Sequence, residues 1–296
     1  MNRKLKYVLT DVFAETEYSG NQLATFLDGT LLSDDEMQKI AREINFSETT
    51  FIIPDQSNTN AYRVRIFTPG GEVNFAGHPT LGTAYVIRQT LMEREVSIVV
   101  LHLNVGEVPV DWVEMEKGPV IPFMRQKSPS FGDQVQPKRM ANILNLNLDD
   151  IDEKWPVETV STGLPFFIVP LKDAKALKKI MVQAGPYQDL IQNSEAKSIL
   201  AFCPEGYTKE QTLGVRVFPI HYGIPEDPAT GSGNGCLAAW LVKNRYFGTE
   251  TVDISVGQGY EIGRPSLLRL KASRVQGDIQ VNVGGQVRWV AEGYWA

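Results

Sequence analysis

The sequence of 296 residues has few of the features that mark secreted, membrane-spanning or nucleic-acid-binding chains. Its two cysteines, Cys203 and Cys236, are too few for a disulfide framework. No apolar run approaches the roughly 18–20 residues that cross a bilayer. The basic N-terminus leads into Thr10 and Asp11 rather than into the apolar segment of a signal peptide. The net charge of −6, without a basic stripe, argues against nucleic-acid binding. We therefore expect a soluble, cytoplasmic protein with no membrane and no nucleic-acid partner.

Histidine is also scarce. The three histidines, His78, His102 and His221, lack metal-ligand spacing, so the sequence predicts no histidine-based metal site. In contrast, 43% of the residues are apolar, which is enough to bury a core. The length suggests two ordinary domains or one large one. Proline and glycine concentrate between Gly118 and Gly132, a composition that predicts a surface crossover between the domains.

The segments on either side of this crossover repeat one another. Residues 64–67 (VRIF) match residues 215–218 (VRVF) at an offset of 151, and both are followed by a loop with glycine and proline and then by a helix-like segment. Residues 19–27 (SGNQLATFL) have a weaker echo in residues 162–171 (TGLPFFIVPL). Three similarities in the same order favour a duplicated domain. Coincidence between common strand–loop–helix units is the alternative.

Local patterns predict the first elements of the chain. Ser33 and Glu36 have the spacing of a capping box, and apolar residues follow at helical spacing up to Ile44. Residues 46–53 and 62–68 are typical of strands, and residues 79–89 of a helix.

Two candidate acid/base side chains lie in the first half. Glu48 lies in FSETTF, where alternation gives it apolar neighbours that can raise the pKa of a carboxyl group towards neutrality. A solvent-facing glutamate on an edge strand is the alternative. His78 precedes a predicted helix, whose first amides can hold an anion beside the imidazole ring. A purely structural hydrogen-bonding histidine is the alternative there.

The second half contains a glycine-rich loop, DPATGSGNGC, that begins at Asp227. Amides of Gly231, Ser232 and Gly233 would form a cradle for a carboxylate or phosphate at a helix N-terminus. The loop is neither a Walker A loop nor a dinucleotide fingerprint, because no Gly-Lys-Ser/Thr follows and Cys236 replaces the last glycine. Helix capping by Asp227 is the alternative. So much glycine costs backbone entropy, which favours close approach of a ligand.

Four blocks of the sequence resemble those of the phenazine-biosynthesis isomerase-like (PhzF-like) family: SGNQLATF, SETTF, RIFTPGGEVNFAGHPTLGTA and DPATGSGNG. The resemblance extends from residue 8 to residue 242 and implies the fold of diaminopimelate epimerase. This is an α+β fold of two pseudo-symmetric domains, each a mixed, mostly antiparallel sheet around a central helix. The implied domains are residues 1–118 with a returning segment at about 285–296, and residues 129–284. A homodimer is also implied.

The resemblance assigns roles to the matching residues. It implies an isomerase without cofactor or metal, which moves a proton between carbons of a small carboxylate-bearing substrate in the cleft between the domains. Glu48 would be the acid/base residue, with His78 and Asp227 as further catalytic residues. The binding residues in the matching blocks would be Asn21, Ser47, Gly77, Gly231, Ser232 and Gly233. The substrate itself is not identified by these motifs.

Two alternatives remain open. Diaminopimelate epimerases have a cysteine just before the glycine of each helix-opening loop, and matching Gly77 with Gly231 places Ala76 and Thr230 at those positions. A thiol-dependent racemase or epimerase would then have to use Cys236. A non-catalytic small-molecule-binding protein of the same fold is the other alternative.

Overall fold

The computed structural model describes residues 4–54, 61–92, 94–115 and 118–296. The chain divides into two compact units. Unit 1 comprises Met1–Arg125 and Gly284–Ala296, and unit 2 comprises Gln126–Val283. No helix in the described ranges is long and apolar enough to cross a membrane.

The elements are numbered in chain order, and unit 1 contains strands from both ends of the chain. They are β1 (Leu5–Val12), β2 (Asn21–Phe26), α1 (Asp34–Ile44), β3 (Glu48–Pro54), β4 (Ala61–Phe67), β5 (Glu72–Val73), α2 (Gly77–Thr90), β6 (Ile98–Leu103), β7 (Gly106–Glu114), β8 (Val120–Arg125) and β17 (Val287–Trp295).

Unit 2 is one continuous stretch of chain, and its last strand ends at the boundary with unit 1. Its elements are β9 (Ser130–Gln134), α3 (Pro137–Leu144), β10 (Glu158–Ser161), β11 (Pro165–Pro170), α4 (Ala174–Lys179), α5 (Ala184–Ile191), β12 (Ser198–Cys203), β13 (Leu213–Phe218), α6 (Gly231–Lys243), β14 (Thr251–Gln258), β15 (Ser266–Val275) and β16 (Asp278–Gly284).

The two units repeat the same strand pairings. In unit 1, β1–β2 is antiparallel, β2–β3 parallel, β3–β4 antiparallel, β4–β6 parallel and β6–β7 antiparallel. In unit 2, β10–β11 is antiparallel, β11–β12 parallel, β12–β13 antiparallel, β13–β14 parallel and β14–β15 antiparallel. Each unit is therefore a mixed, mostly antiparallel sheet, and the shared succession supports the predicted duplication.

One helix is buried inside each sheet. In α2 ten of fourteen residues are buried, and in α6 twelve of thirteen. A helix without a polar face needs apolar partners all around it, and these sheets supply them. At Gly82 the backbone of α2 approaches β1 and β2 so closely that an added Cβ would lie 2.5 Å from Leu23 Cδ2 and 2.8 Å from Val12 Cγ2.

The capping box that predicts α1 is present, with the Ser33 hydroxyl accepting from the amide of Glu36. Two other predictions were less accurate. Strand β3 begins at Glu48 instead of Phe46, and helix α2 begins at Gly77 instead of Pro79. The stretch from Gly118 to Gly132 is not only a crossover, because β8 and the start of β9 lie within it.

Proline does not prevent β8 from forming. Pro122 pairs with Trp112 of β7, and its carbonyl oxygen accepts a hydrogen bond from the amide of Gly285. Only the donor is missing in proline, so the sequence signal of a loop was wrong here. The C-terminal strand β17 lies antiparallel to β1, and its Trp295 packs edge-on against Phe26.

Candidate active site

Unit 1 brings together three of its five predicted site residues. The Oε2 atom of Glu48 lies 3.5 Å from Nε2 of His78. On the other side of the ring, the amide nitrogen of Asn21 lies 3.2 Å from Nδ1. Asn21 and His78 are buried, while the side chain of Glu48 is 16% exposed. Ser47 and Gly77 are the chain neighbours of Glu48 and His78, so all five residues lie at the starts of β2, β3 and α2.

Burial lowers the pKa of His78 to about 3, against a smaller opposite effect of the Gln22 backbone. The imidazole is therefore neutral at physiological pH. Donation from the Asn21 amide to Nδ1 corresponds to the tautomer that carries its proton on Nε2, on the side of Glu48. Nε2 has no hydrogen-bond partner among the described residues, and its distance from Glu48 exceeds an ordinary hydrogen bond. Nε2 is thus available for a ligand.

The sheet and the buried helix determine these positions. Glu48 is the first residue of β3 and pairs with Leu23 of β2, two residues after Asn21. His78 is in the first turn of α2, after the N-cap residue Ala76, which makes no side-chain capping bond. The first turn also has no acidic residue. Amides in the first turn of a helix have no intrahelical acceptor, and they favour an anion.

Unit 2 holds Asp227 in a loop before α6. Its amide donates to the carbonyl of Val217 in β13, and its Oδ2 accepts from the hydroxyl of Thr230. Asp227 is only 6% exposed. Thr230, not Asp227, is the N-cap residue of α6, and it makes no side-chain capping bond to the helix. The alternative in which Asp227 merely caps the helix is therefore wrong.

The predicted cradle residues Gly231, Ser232 and Gly233 form the first turn of α6, and all three are buried. No acidic residue lies in this turn. A Cβ atom at Gly233 would lie 3.1 Å from a ring carbon of Phe166, which explains that glycine by packing inside the unit. The glycine thus does not by itself indicate a ligand, and Ser232 is the cradle residue with a polar side chain.

Gln258 was not predicted from the sequence, although it organises the loop of Asp227. It is fully buried, and its amide nitrogen donates to the carbonyl of Asp227 while its oxygen accepts from the amide of Thr230. The same oxygen accepts from the side chain of Asn234 in α6. Gln258 is 31 residues away from Asp227 along the chain, so no local pattern could have identified it.

An arginine in each unit fixes the loop that precedes the buried helix. Arg65 forms two hydrogen bonds with Glu72 and lies over the ring of Phe67. Arg216 does the same with Glu226 and Phe218. Both pairs are of the bidentate type, which is strong and directional. Since Glu226 is adjacent to Asp227, its pair with Arg216 holds the backbone of the loop in place.

These repeated contacts define which residues of the two units correspond. Arg65 and Arg216 differ by 151 positions, whereas Glu72 and Glu226 differ by 154. The strand contacts agree, because Ile66 pairs with Val73 and Val217 with Asp227. After the loop, equivalent residues of the two units are therefore 154 positions apart. At this offset the two N-cap residues, Ala76 and Thr230, are equivalent, as the matching of Gly77 with Gly231 implied.

The same registers show that the acid/base groups are not duplicated. His78 corresponds to Ser232 at an offset of 154. Glu48 pairs with Leu23, and the matching residue of unit 2, Phe166, pairs with Ser198. Unit 2 thus has serines where unit 1 has a carboxylate and an imidazole. The carboxylate of Glu48 can take up a proton, whereas the hydroxyl of its counterpart Ser198 cannot.

Cys236 is a poor candidate for a nucleophile. Its thiol is fully buried in α6, and burial raises its pKa to about 12. It lies 3.6 Å from the hydroxyl of Thr162 and donates to the carbonyl of Leu164. A thiol of this kind is protonated near neutral pH, and the thiolate is the reactive form. No group of three potential metal ligands was found among His, Cys, Asp and Glu in the described ranges.

The fold resembles those of a solved PhzF-family protein and of a probable proline racemase. A crystal structure of a phenazine biosynthesis protein of the PhzF family from Bacillus anthracis matches 99% of this chain and 99% of its own with a TM-score of 0.91 and 26% identity. A probable proline racemase from Agrobacterium radiobacter matches 99% of this chain and 93% of its own with a TM-score of 0.64 and 9% identity. The second likeness concerns the fold alone. Together these define a diaminopimelate-epimerase-like α+β protein.

Sequence relatives identify the family within this fold. An uncharacterized isomerase of Mesorhizobium japonicum is 33% identical over 97% of both chains. The trans-2,3-dihydro-3-hydroxyanthranilate isomerase of Pseudomonas aeruginosa is 33% identical over 97% of this chain and 98% of its own. The family model described as phenazine biosynthesis-like protein matches residues 10–293. The chain belongs to this PhzF-like family, and it is an isomerase.

Proposed function

We propose that this isomerase moves a proton between carbon atoms of a small carboxylate-bearing substrate, without a cofactor, and that Glu48 is its acid/base group. The observation that carries the proposal is the arrangement of Glu48 beside the neutral imidazole of His78. Glu48 is an acceptor in a largely buried place, whereas Nε2 of His78 has no hydrogen-bond partner in the described ranges and is a donor in the tautomer proposed here. A proton acceptor next to a fixed donor is what proton abstraction from carbon needs.

The chemistry begins with the carboxylate of Glu48. It takes a proton from a carbon atom of the substrate, and the electron pair left behind moves into the conjugated system towards the substrate's carboxylate. The Nε2–H group of His78 and the amides at the start of a helix stabilise the charge that develops. Glu48, now a carboxylic acid, returns the proton to another carbon on the same face. The substrate is thereby isomerised, and Glu48 regains its charge.

Unit 2 has no acid/base group at the positions equivalent to Glu48 and His78, which supports this one-base course; the carboxylate of Asp227 lies elsewhere, in the loop before α6. A two-base racemase needs a proton carrier on each face of its substrate. The counterparts of Glu48 and His78 are Ser198 and Ser232, and Cys236 is a buried, protonated thiol. Serine hydroxyls bind a carboxylate but do not exchange protons with carbon near neutral pH. A buried, protonated thiol at Cys236 disfavours the thiol-dependent alternative.

We further propose that the substrate is bound from both units in a cleft between them. Its carboxylate would be held by Ser232 and the first amides of α6, with Asp227 positioned by Gln258 to contact a polar group of the substrate. The reacting carbon would face Glu48 and His78. This part of the proposal rests on membership of the family and on the two helix starts without acidic residues.

The first experiment is a substrate test. Trans-2,3-dihydro-3-hydroxyanthranilate, the compound in the name of the Pseudomonas aeruginosa relative, and other small cyclic carboxylates would be incubated with the enzyme in heavy water. Isomerisation, with deuterium incorporated into at least one compound, is the expected result. Dialysis against a chelator should leave the rate unchanged. A protein that binds these acids but exchanges no hydrogen with any of them would be a binding protein instead.

The second experiment tests the role of Ser232. Ser232→Asp adds negative charge at the start of α6 and should abolish stabilisation of the protein by benzoate-like acids in thermal melts. Ser128→Asp is the matched control, because it makes the same change at an exposed position of unit 2. His78→Asn, in unit 1, should weaken the same ligands if both units bind one molecule. Equal ligand stabilisation in wild type and Ser232→Asp would contradict the proposal.

A further inference from the structure

Three threonines of unit 1 form a chain of hydroxyl groups beside the candidate active site. The hydroxyl of Thr83 donates to Oγ1 of Thr50 at 2.8 Å, and the hydroxyl of Thr50 donates to Oγ1 of Thr25 at 3.0 Å. All three residues are fully buried. They belong to α2, β3 and β2, so the chain crosses from the buried helix into the sheet. None of them was selected from the sequence.

This chain joins the two elements that carry Glu48 and His78. Thr50 follows Glu48 by two residues on β3, so both side chains lie on the same face of the sheet. Thr83 lies on α2, the helix whose first turn holds His78. The hydrogen bond between Thr83 and Thr50 therefore restricts translation and rotation of α2 relative to β3. Apolar packing alone is less directional than such a bond.

Unit 2 contains the matching positions without the hydroxyl groups. Thr25 pairs with Thr50, and the equivalent residues of unit 2, Ile168 and Leu200, pair in the same way. Thr83 corresponds to Leu237 at the offset of 154. All three residues of unit 2 are apolar and fully buried. The fold can thus be built with apolar side chains at these positions.

We infer that Thr50 and Thr83 are positioning residues, which hold the carboxylate of Glu48 in register with the imidazole of His78; this rests on the proposed function. The hydroxyl chain occurs in the unit that has the carboxylate and imidazole, while the unit with Ser198 and Ser232 has apolar residues instead. Buried hydroxyls are costly unless they are hydrogen-bonded, so each bond constrains the geometry that it joins. Small errors in such geometry reduce rates strongly, by about 100-fold for a displacement of 1 Å.

The experiment replaces each hydroxyl with a methyl group of the same shape. Thr50→Val and Thr83→Val remove the chain, and Thr50→Ser restores a hydroxyl. Thr90→Val is the matched control, because the hydroxyl of Thr90, also on α2, donates only to the carbonyl of Val86 in its own helix. The probe is the imidazole of His78, observed by NMR in protein labelled with ¹⁵N-histidine and assigned through His78→Asn.

We expect both valine variants to change the ¹⁵N shifts of His78 and to broaden its Nε2–H signal, while Thr90→Val leaves the signals at their wild-type positions. Thr50→Ser should return them towards wild type. With an identified substrate, the valine variants should lower kcat about tenfold or more and leave KM within about twofold, because binding groups are untouched. The NMR readout needs no substrate. It therefore separates failure of this inference from failure of the proposed function, which an active Glu48→Gln variant would reveal.

Unchanged His78 signals in folded Thr50→Val and Thr83→Val proteins would overturn the inference. If Thr50→Val does not fold, Thr83→Val supplies the same test, since it removes the donor of the first bond. If neither folds, the hydroxyls stabilise the unit as a whole and the inference is also wrong. That outcome would contradict the conclusion, drawn from the apolar equivalents in unit 2, that the fold does not need hydroxyl groups at these positions.

Discussion

Lowering the pH should destabilise the protein through His78. Burial lowers the pKa of this imidazole from 6.5 to about 3. Below pH 6.5 the unfolded chain therefore binds a proton that the folded protein does not bind, and the free energy of unfolding falls as the pH falls. The decrease continues until the pH reaches the folded-state pKa. The backbone of Gln22 opposes this effect and raises the pKa of His78, but burial is the larger influence.

The size of the effect follows from the difference between the two pKa values. One pKa unit corresponds to about 1.4 kcal/mol. Between pH 6 and pH 4 the free energy of unfolding should thus fall by about 1.4 kcal/mol per pH unit from His78 alone. At pH 5 the accumulated loss is about 2 kcal/mol. This loss is a measurable share of the free energy of unfolding of a typical folded protein, which is about 5–15 kcal/mol.

Urea unfolding of wild type and His78→Gln at several pH values between 7 and about 4 measures this contribution. Other titrating groups contribute equally to both proteins, so the difference between the two curves isolates His78. The difference in the free energy of unfolding between wild type and His78→Gln should become smaller as the pH falls, because only the wild type is destabilised by its neutral, buried imidazole. Parallel curves, or a gap that widens in acid, would show that His78 is protonated beside Glu48 and would refute its role as a neutral donor.

Three other changes test separate parts of the account. Gly82→Ala should lower the free energy of unfolding by about 1–3 kcal/mol, because the added Cβ would overlap Leu23 and Val12. Gly185→Ala is the control and should not destabilise the protein, since its position on α5 is open. Equal effects of the two changes in urea unfolding would contradict the close packing of α2. Cys236 should resist alkylation by N-ethylmaleimide in the native protein, because its thiol is buried and protonated. Turnover of Cys236→Ala should stay within a few-fold of the wild-type value. Rapid labelling of Cys236 with loss of activity would instead support the thiol mechanism. Glu226→Gln should cost up to about 3–5 kcal/mol in urea unfolding, because it removes the bidentate partner of the buried Arg216 and leaves only Glu261, whose carboxylate is 3.9 Å away. Glu72→Gln should cost less, because the pair with Arg65 is more exposed and Asp34 still contacts that arginine. Comparable losses would contradict the role of burial.

Much of the fold could be predicted because its signals are local. The capping box at Ser33 and Glu36 needs only four residues, and the motif blocks of the family preserve their order along the chain. The repeat of VRIF as VRVF also has a structural basis, because the arginine of each motif hydrogen-bonds to a glutamate and lies over the phenylalanine ring of the same motif. Local composition was misleading where proline is compatible with a strand, as at Pro122.

The contacts of the site could not be predicted in the same way. Asn21 and His78 are 57 residues apart, and Gln258 is 31 residues from the carbonyl that it binds. Sequence similarity could mark Asn21 as a candidate but could not show that its amide lies against Nδ1 of His78. Thr50 and Thr83 look like ordinary buried residues of a strand and a helix. Their hydrogen bond depends on the register between the two elements, which only the folded unit defines.

The most direct test of the central claim is proton exchange at Glu48. Turnover of an identified substrate in heavy water would be compared for wild type, Glu48→Gln and Cys236→Ala, with deuterium in the product measured by mass spectrometry. Glu48→Gln keeps the shape of the side chain but cannot carry a proton, so both turnover and deuterium incorporation should fall by at least about 10²–10⁴-fold. Cys236→Ala should stay close to wild type. A folded Glu48→Gln enzyme that still turns over, together with an inactive Cys236→Ala enzyme, would contradict the account.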